Sequence, residues 1–259
     1  MFIIAPEKLT RQEKRKTVDR LIKESAMTFD FLLMLIMSTV IVALGLLLNN
    51  IAIIIGGMLV APMLFPVLSF GMGMVSGEPK LIRRSGLVIV QSMAVVIVVS
   101  FSIASLAVDK TLTSEIIARG HVNLSYFLVA FVSGLAVSYV LTRKEVSEVI
   151  PGVAISVALL PPLSATGLAL GFLNWQVVFG SLGLFGANLL GIILASLFVF
   201  SLTRFYEVKD SVRRNIKVEE TTIKRKEVEK KKQNLNLLAK EVKQAVNVIK
   251  KEKKTLKRL

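Results

Sequence analysis

Hydrophobic residues in this chain come in long unbroken runs rather than in a period of two or of three to four. From Phe31 to Gly77 there is no Asp, Glu, Lys or Arg, and the same holds from Ser85 to Val108 and from Val149 to Thr203. Such runs are too long for a strand or an ordinary core helix, and about 20 apolar residues carry a helix across a bilayer. Turns and charges divide them into six predicted spans, at about 30–48, 51–75, 86–108, 123–142, 149–172 and 175–203. Asn49-Asn50 joins the first pair, SGEPKLIRRS the second and third, and the longest loop, Asp109 to Val122, the third and fourth. Arg143 to Glu148 follows the fourth span, and Trp175 suits an interfacial depth at the start of the sixth.

The flanks read differently. Residues 1–28 form a basic N-terminal segment whose Thr10 and Glu13 have capping-box spacing. Val18, Leu21, Ile22 and Ser25 fit one face of a short helix lying on the membrane surface; a solvated helix or flexible arm is the alternative. The polar character of this segment argues against a cleavable signal. Residues 29–204 form the six-span domain. Residues 205–259 form a basic tail in which Val228, Lys231, Leu235, Leu238, Val242, Ala245, Ile249, Glu252, Leu256 and Leu259 fall at heptad positions. A coiled coil, and so a homo-oligomer, follows from that frame; a surface helix or a disordered basic tail also fits.

Two spans are interrupted in the same way. IIGGMLVAPMLFPVLSFGMGMVSG carries Pro62 and Pro66 near its middle, and VIPGVAISVALLPPLSATGLALG carries Pro161 and Pro162. Proline lacks an N–H and clashes with the carbonyl four residues earlier. Freed carbonyls in hydrocarbon must face protein, a cavity or an ion. Gly56, Gly57, Gly71, Gly152 and Gly167 flank these points and allow bends and close helix contacts. Shifting the chain by about 95 residues lays the first three spans on the last three, pairing Ser38 with Ser133, Gly57 with Gly152, Pro66 with Pro161 and Ser69 with Ser164. A one-residue slip then pairs Gly71 with Gly167. Each half has an odd number of spans, so the second enters the membrane inverted relative to the first. The expected fold is an all-α polytopic membrane protein, six transmembrane helices in two inverted three-helix repeats (about 29–108 and 123–203) with a cytoplasmic helical tail.

Charge sets the orientation. The formal net charge is +15, yet of all Lys and Arg only Lys110 and Arg119 fall on the side opposite the N-terminus. The positive-inside rule therefore places both termini in the cytoplasm of a plasma-membrane protein, its basic residues beside anionic headgroups. That accounts for the charge without nucleic acid, and no aromatic residue after Tyr206 interleaves the basic tail for base stacking. Cysteine is absent, there is one His, and no carboxylate lies within a span, so no metal, cofactor or nucleophile–base chemistry is expected there.

The runs GGMLVAPMLFPVLSFGMGMVSGE and VIPGVAISVALLPPLSATGLALG resemble the two hallmarks of a bacterial and archaeal membrane-protein family classed as domain of unknown function 389. SEIIARGHVNLSYFLVAFVSGLAVSYV is similar to its linking region, although Gly120, His121 and Val122 stand where that family tends to have Thr-Pro before an Asn. The resemblance covers about residues 30–203 and implies a multi-span architecture of unsettled activity. The expected function is a transporter or channel for a small solute or ion, its pathway built by Pro62, Pro66, Ser69, Pro161, Pro162, Ser164 and Thr166, with Gln91 and Asn188 nearby. The prolines free backbone groups and the hydroxyls coordinate. A membrane scaffold or sensor acting through the tail is the alternative.

Overall fold

The computed structural model describes residues 9–107, 111–142 and 149–208, together with Arg213, Arg214, Val218 and Thr221, and omits the side chains of residues 149–158. The heptad frame of the tail lies outside what is described, and so do the surroundings of Gly152. The chain divides into two units, Met1–Arg213 and Arg214–Leu259; the first holds the elements below.

The described residues are helical throughout, with no strand: α1 Arg11–Glu24, α2 Phe29–Leu47, α3 Ile51–Val60, α4 Leu64–Ser76, α5 Pro79–Leu106, α6 Ser114–Ala118, α7 Leu124–Leu141, α8 Val149–Gly171, α9 Trp175–Leu202, then a 3-10 turn, Phe205–Val208. Helix starts follow the capping residues. Thr10 and Glu13 form the capping box, and the side chains of Thr28, Asn50, Thr113, Asn123 and Asn174 accept first-turn N–H groups. Gly77 (φ 61°) ends α4, in the left-handed conformation where glycine carries no Cβ penalty. Four helices (α2, α5, α7, α9) are long and apolar enough to cross a membrane, or five spans if the bent pair α3–α4 counts as one. They expose large apolar side chains such as Met37, Val98, Val132 and Phe198. So much outward apolar surface suits surrounding lipid and not water.

Contacts define two ends of the bundle. At one, the Thr113 hydroxyl donates to the Leu46 carbonyl (2.7 Å), the Ser114 hydroxyl to Asn49 Oδ1 (2.9 Å), and Gly120 lies against Gly180. At the other, α1 meets the last residue of α7 and the segment after α9 that includes the 3-10 turn. The Thr17 hydroxyl donates to the Leu141 carbonyl (3.3 Å), and the Lys14 ammonium to Glu207 and to the Arg204 carbonyl (both 3.0 Å). Lys80, Arg83 and Arg84 open α5, two residues after α4 ends on its way back from the first end. At the centre stands α8, which touches α2, α3, α4, α5, α7 and α9 and buries every residue from Leu159 to Ala169.

Two expectations are corrected here. First, Pro161 and Pro162 do not break their helix: α8 continues through both. Packing from all sides holds it, and the element that parts the other span is missing from it. There the chain leaves the helix at Ala61 (φ −72°, ψ 127°), the extended conformation a following proline favours. The residue responsible is thus Pro62. Pro66 is merely the third residue of α4, where an N–H needs no intrahelical partner. By the shift of 95 or 96 residues, Pro161 and Pro162 correspond to Pro66, while Val157 and Ala158 stand where Pro62 would be. Second, α1 is not free to lie on lipid or in water. Its face of Val18, Leu21, Ile22 and Ser25 is buried, and α1 packs on α4 and the 3-10 turn.

Candidate functional site

The sharpest departure from regular structure inside the bundle is the α3–α4 junction, bent by 56°. The Ala61 N–H closes α3 onto the Met58 carbonyl (3.2 Å). Beyond Pro62, α4 begins with no side-chain cap, with Met63 and Leu64 buried. First-turn N–H groups have no intrahelical acceptor and carry the positive end of the helix dipole. Here they open in the interior of an apolar bundle and not at its surface. A bend of 56° leaves α4 advancing along the direction of α3 by about half its length, so the pair together traverse roughly 25–30 Å, the thickness of a hydrocarbon core.

Close helix contacts place the neighbours of this junction. Gly71 of α4 sits against Ser196 of α9; Gly167 of α8 sits against Ile97 and Ser100 of α5; and Gly73 of α4 sits against Ile82 of α5. Counting from these contacts, back along α4 and α9 and forward along the antiparallel α5, puts Asn188 of α9 and Ser92 of α5 at the level of Met63–Leu64. The same count puts Ser92 beside Leu159, two residues before Pro161. The junction, the two prolines of α8, Ser92 and Asn188 therefore share one level. Within α8, nothing at 161 or 162 donates to the carbonyls of Val157 and Ala158.

The hydroxyls divide into two kinds. Most bond back to their own helix: Ser38 to the Leu35 carbonyl, Ser76 to Met72, Ser85 to Leu81, Ser196 to Ile193 and Thr203 to Val199. Thr166 is of this kind, donating to the Pro162 carbonyl (2.9 Å) and sharing a 2.7 Å bond with Ser181 of α9. Ser69 is fully buried and donates to the Leu21 carbonyl of α1 (2.8 Å), so it docks the N-terminal helix. By contrast Ser164, Ser92, Ser100 and Ser138 bury hydroxyl oxygens that have no partner among the described residues. Of these, sequence reasoning named Ser164 alone. Ser92 and Ser100 had a signal, since they recur in α9 as Asn188 and Ser196, 96 residues on. Asn188 is buried (3%), whereas Gln91 projects from the exposed face of α5, away from the junction.

The glycines named as hinges act as contact points. A Cβ at Gly57 would meet Val42 of α2, one at Gly71 Ser196, and one at Gly167 the Ile97 carbonyl, while Gly56 has open space beside it. The bend itself, at 61–63, holds no glycine. Outside the spans, two carboxyls depart from their usual range. Hydrogen bonding from Lys14 holds Glu207 low; burial pushes Asp19 up, against the opposing pull of Arg15. At the bundle end opposite α1, a cleft of about 190 Å³ is lined by Leu112, Ile117, Gly120, His121, Asn174, Gln176 and Val177. Among the described residues no group of His, Cys, Asp and Glu is placed to hold a metal ion.

A family profile described as a domain of unknown function (DUF389) matches residues 58–194, from the second turn of α3 through most of α9. An uncharacterized protein of Methanocaldococcus jannaschii is 27% identical over 202 residues, which cover 74% of this chain and 63% of that protein. The chain thus spans less than two thirds of the length of the curated relative it matches. No solved structure matches.

Proposed function

This chain belongs to the DUF389 family, and we propose that it is a transporter or channel for a small solute or ion, with its pathway at the level of the α3–α4 junction. The observation that carries the reading is an uncapped helix start, split off by Pro62, in the interior of an apolar bundle. Discontinuous helices of this kind put backbone N–H groups and carbonyls at a depth where no water would otherwise satisfy them. Ser92, Asn188 and Ser164 add neutral oxygens near that level, and no formal charge lies there. The cargo is therefore a neutral solute or an ion held by dipoles, not a proton passed between carboxylates.

An inverted repeat underlies the pathway in this reading, and the two halves agree in detail. Shifted by 96 residues, Pro79–Leu106 falls on Trp175–Leu202, both 28 residues long. Every buried residue of α5 (Leu81, Ser85, Val88, Ile89, Ser92, Val96, Ser100, Ala104) falls on a buried residue of α9. At a shift of 95, Leu35, Thr39, Val42 and Ala43 of α2 fall on Ala130, Gly134, Val137 and Ser138 of α7. The Gly71–Ser196 contact repeats as Gly167–Ser100, each joining one half to the other. Six spans with both termini at the basic, cytoplasmic end of a plasma-membrane protein follow from the same reading.

The test is flux of a panel of ions and small solutes in proteoliposomes, comparing the native chain with Pro62→Leu. Flux abolished in a folded Pro62→Leu protein supports the pathway; undiminished flux, or none from the native chain across the panel, overturns it. A scaffold or sensor working through the tail draws support from the two bonds by which Lys14 grips Glu207 and the Arg204 carbonyl, where the tail begins. It requires that deleting residues 209–259 abolish function while Pro62→Leu is tolerated.

A further inference from the structure

We infer that the outer face of α5 pairs with the same face of a second copy of this chain, through Gln91. Gln91 is exposed on α5, and no side-chain hydrogen bond of it is found among the described residues. It lies seven residues beyond Arg84, about 10 Å further along the helix, and no formal charge follows before Asp109. That is farther from the basic end than a glutamine side chain extends, so its amide sits among apolar surface. A primary amide carries two donors and an acceptor, and lipid chains offer nothing to meet them.

The residues around it form a seam. Leu87, Gln91, Ala94, Val98, Phe101 and Ser105 repeat at alternating steps of four and three, and all six are exposed (Val98 62%, Leu87 59%). This is the spacing of helices packed side by side, with small residues allowing close approach and one polar residue fixing the register. The corresponding positions of α9, 96 residues on, are Gly183, Ala187, Leu190, Leu194, Leu197 and Ser201. The internal duplicate thus lacks the amide, and the bundle packs without it. The amide therefore serves the outward face of α5.

A second copy fits where another partner would need a matching group by coincidence. Two copies in the same orientation in one membrane bring identical positions to identical depth, so a twofold axis along the membrane normal sets Gln91 against Gln91 of the neighbour. Each amide then donates to and accepts from the other. The inference does not depend on what, if anything, the protein transports.

The absence of native cysteine makes the test clean. Ala94→Cys is introduced in the full chain and oxidised in native membranes, with Val132→Cys on the exposed face of α7 as the comparison. Disulfide-linked dimer is expected at 94 and not at 132. Adding Gln91→Leu, a change suited to a lipid-facing helix, should lower the dimer yield roughly fivefold or more, while Gln91→Asn retains it. Equal yields at 94 and 132, a yield indifferent to Gln91→Leu, or a cross-linked band whose mass is not twice that of the chain would each overturn the pairing.

Discussion

The second span of each half starts from closely related residues and reaches a different outcome. In the first half the helix parts at Ala61–Met63 and resumes at 56°. In the second, α8 runs on through two consecutive prolines. Proline count does not explain this, since each segment holds two near its middle. The proline positions differ in outcome: Pro62 follows ten helical residues and the residue before it leaves the helix, whereas Pro161 follows twelve and Leu160 stays helical. The second half keeps the counterpart of Pro66 and lacks that of Pro62. Surroundings add to the difference: α8 is enclosed by six other helices, so leaving the helical path would expose backbone to apolar side chains with nothing to bond. A helix can thus survive the loss of two hydrogen bonds when packing leaves no other route.

The most direct way to break this contrast is to supply the missing proline. Ala158→Pro should cost about 3 kcal/mol or more, because it removes a further ladder bond and adds a ring clash in α8. Thermal unfolding in detergent measures it, and a variant as stable as the native chain would refute the account of why α8 is whole. A smaller effect sharpens the comparison of the two inter-half contacts. A Cβ at Gly167 would lie 2.6 Å from both the Ile97 carbonyl and Ser100 Cβ, one of them backbone. A Cβ at Gly71 meets chiefly the Ser196 hydroxyl, which can rotate. Gly167→Ala should therefore destabilise by about 1–3 kcal/mol and Gly71→Ala by visibly less, read from the same melts. Equal losses would mean that the two contacts are interchangeable.

The smallest effect concerns α1, which Ser69 of the first half, Leu141 of the second and Glu207 together hold. Glu207 is held below its ordinary range by Lys14, so its contribution to docking is present above the carboxylate range and lost as pH falls through the lowered value. Asp19 works the other way: burial disfavours its charged form, so protonation on acidification favours the docked helix. Protection of residues 11–24 against hydrogen exchange, measured relative to the intrinsic rate at each pH, should fall more steeply on acidification in the native chain than in Glu207→Gln. An unchanged pH response in that variant would assign the anchoring elsewhere.

Much of the architecture was legible from charge-free runs and turn residues: the described helices lie close to the predicted limits, except that α5 begins at Pro79 and not near residue 86, and that α6 lies in the predicted loop. The capping box of α1 was legible too, because Thr10 and Glu13 act locally. Two matters were not. That α1 docks on protein depends on Ser69, Leu141 and Glu207, which lie 48 to 193 residues away and come together only in the folded bundle. The outward turn of Gln91 depends on which face of α5 meets α4 and α8, and apolar residues cover both faces of that helix. The inequality of the two prolines was legible but easily passed over: the 96-residue shift sets Pro62 on Ala158, a mismatch hidden by the pairing of Pro66 with Pro161 and Pro162.

The proposed pathway requires that water reach the α3–α4 junction, where Met63 is buried in the structure. In the cysteine-free chain, Met63→Cys in native membranes, challenged with a small charged thiol reagent, tests it most directly. Labelling of Met63→Cys, with Leu160→Cys in the unbroken helix protected, is the result this account predicts. A Met63→Cys protein that stays unlabelled while folded would contradict it.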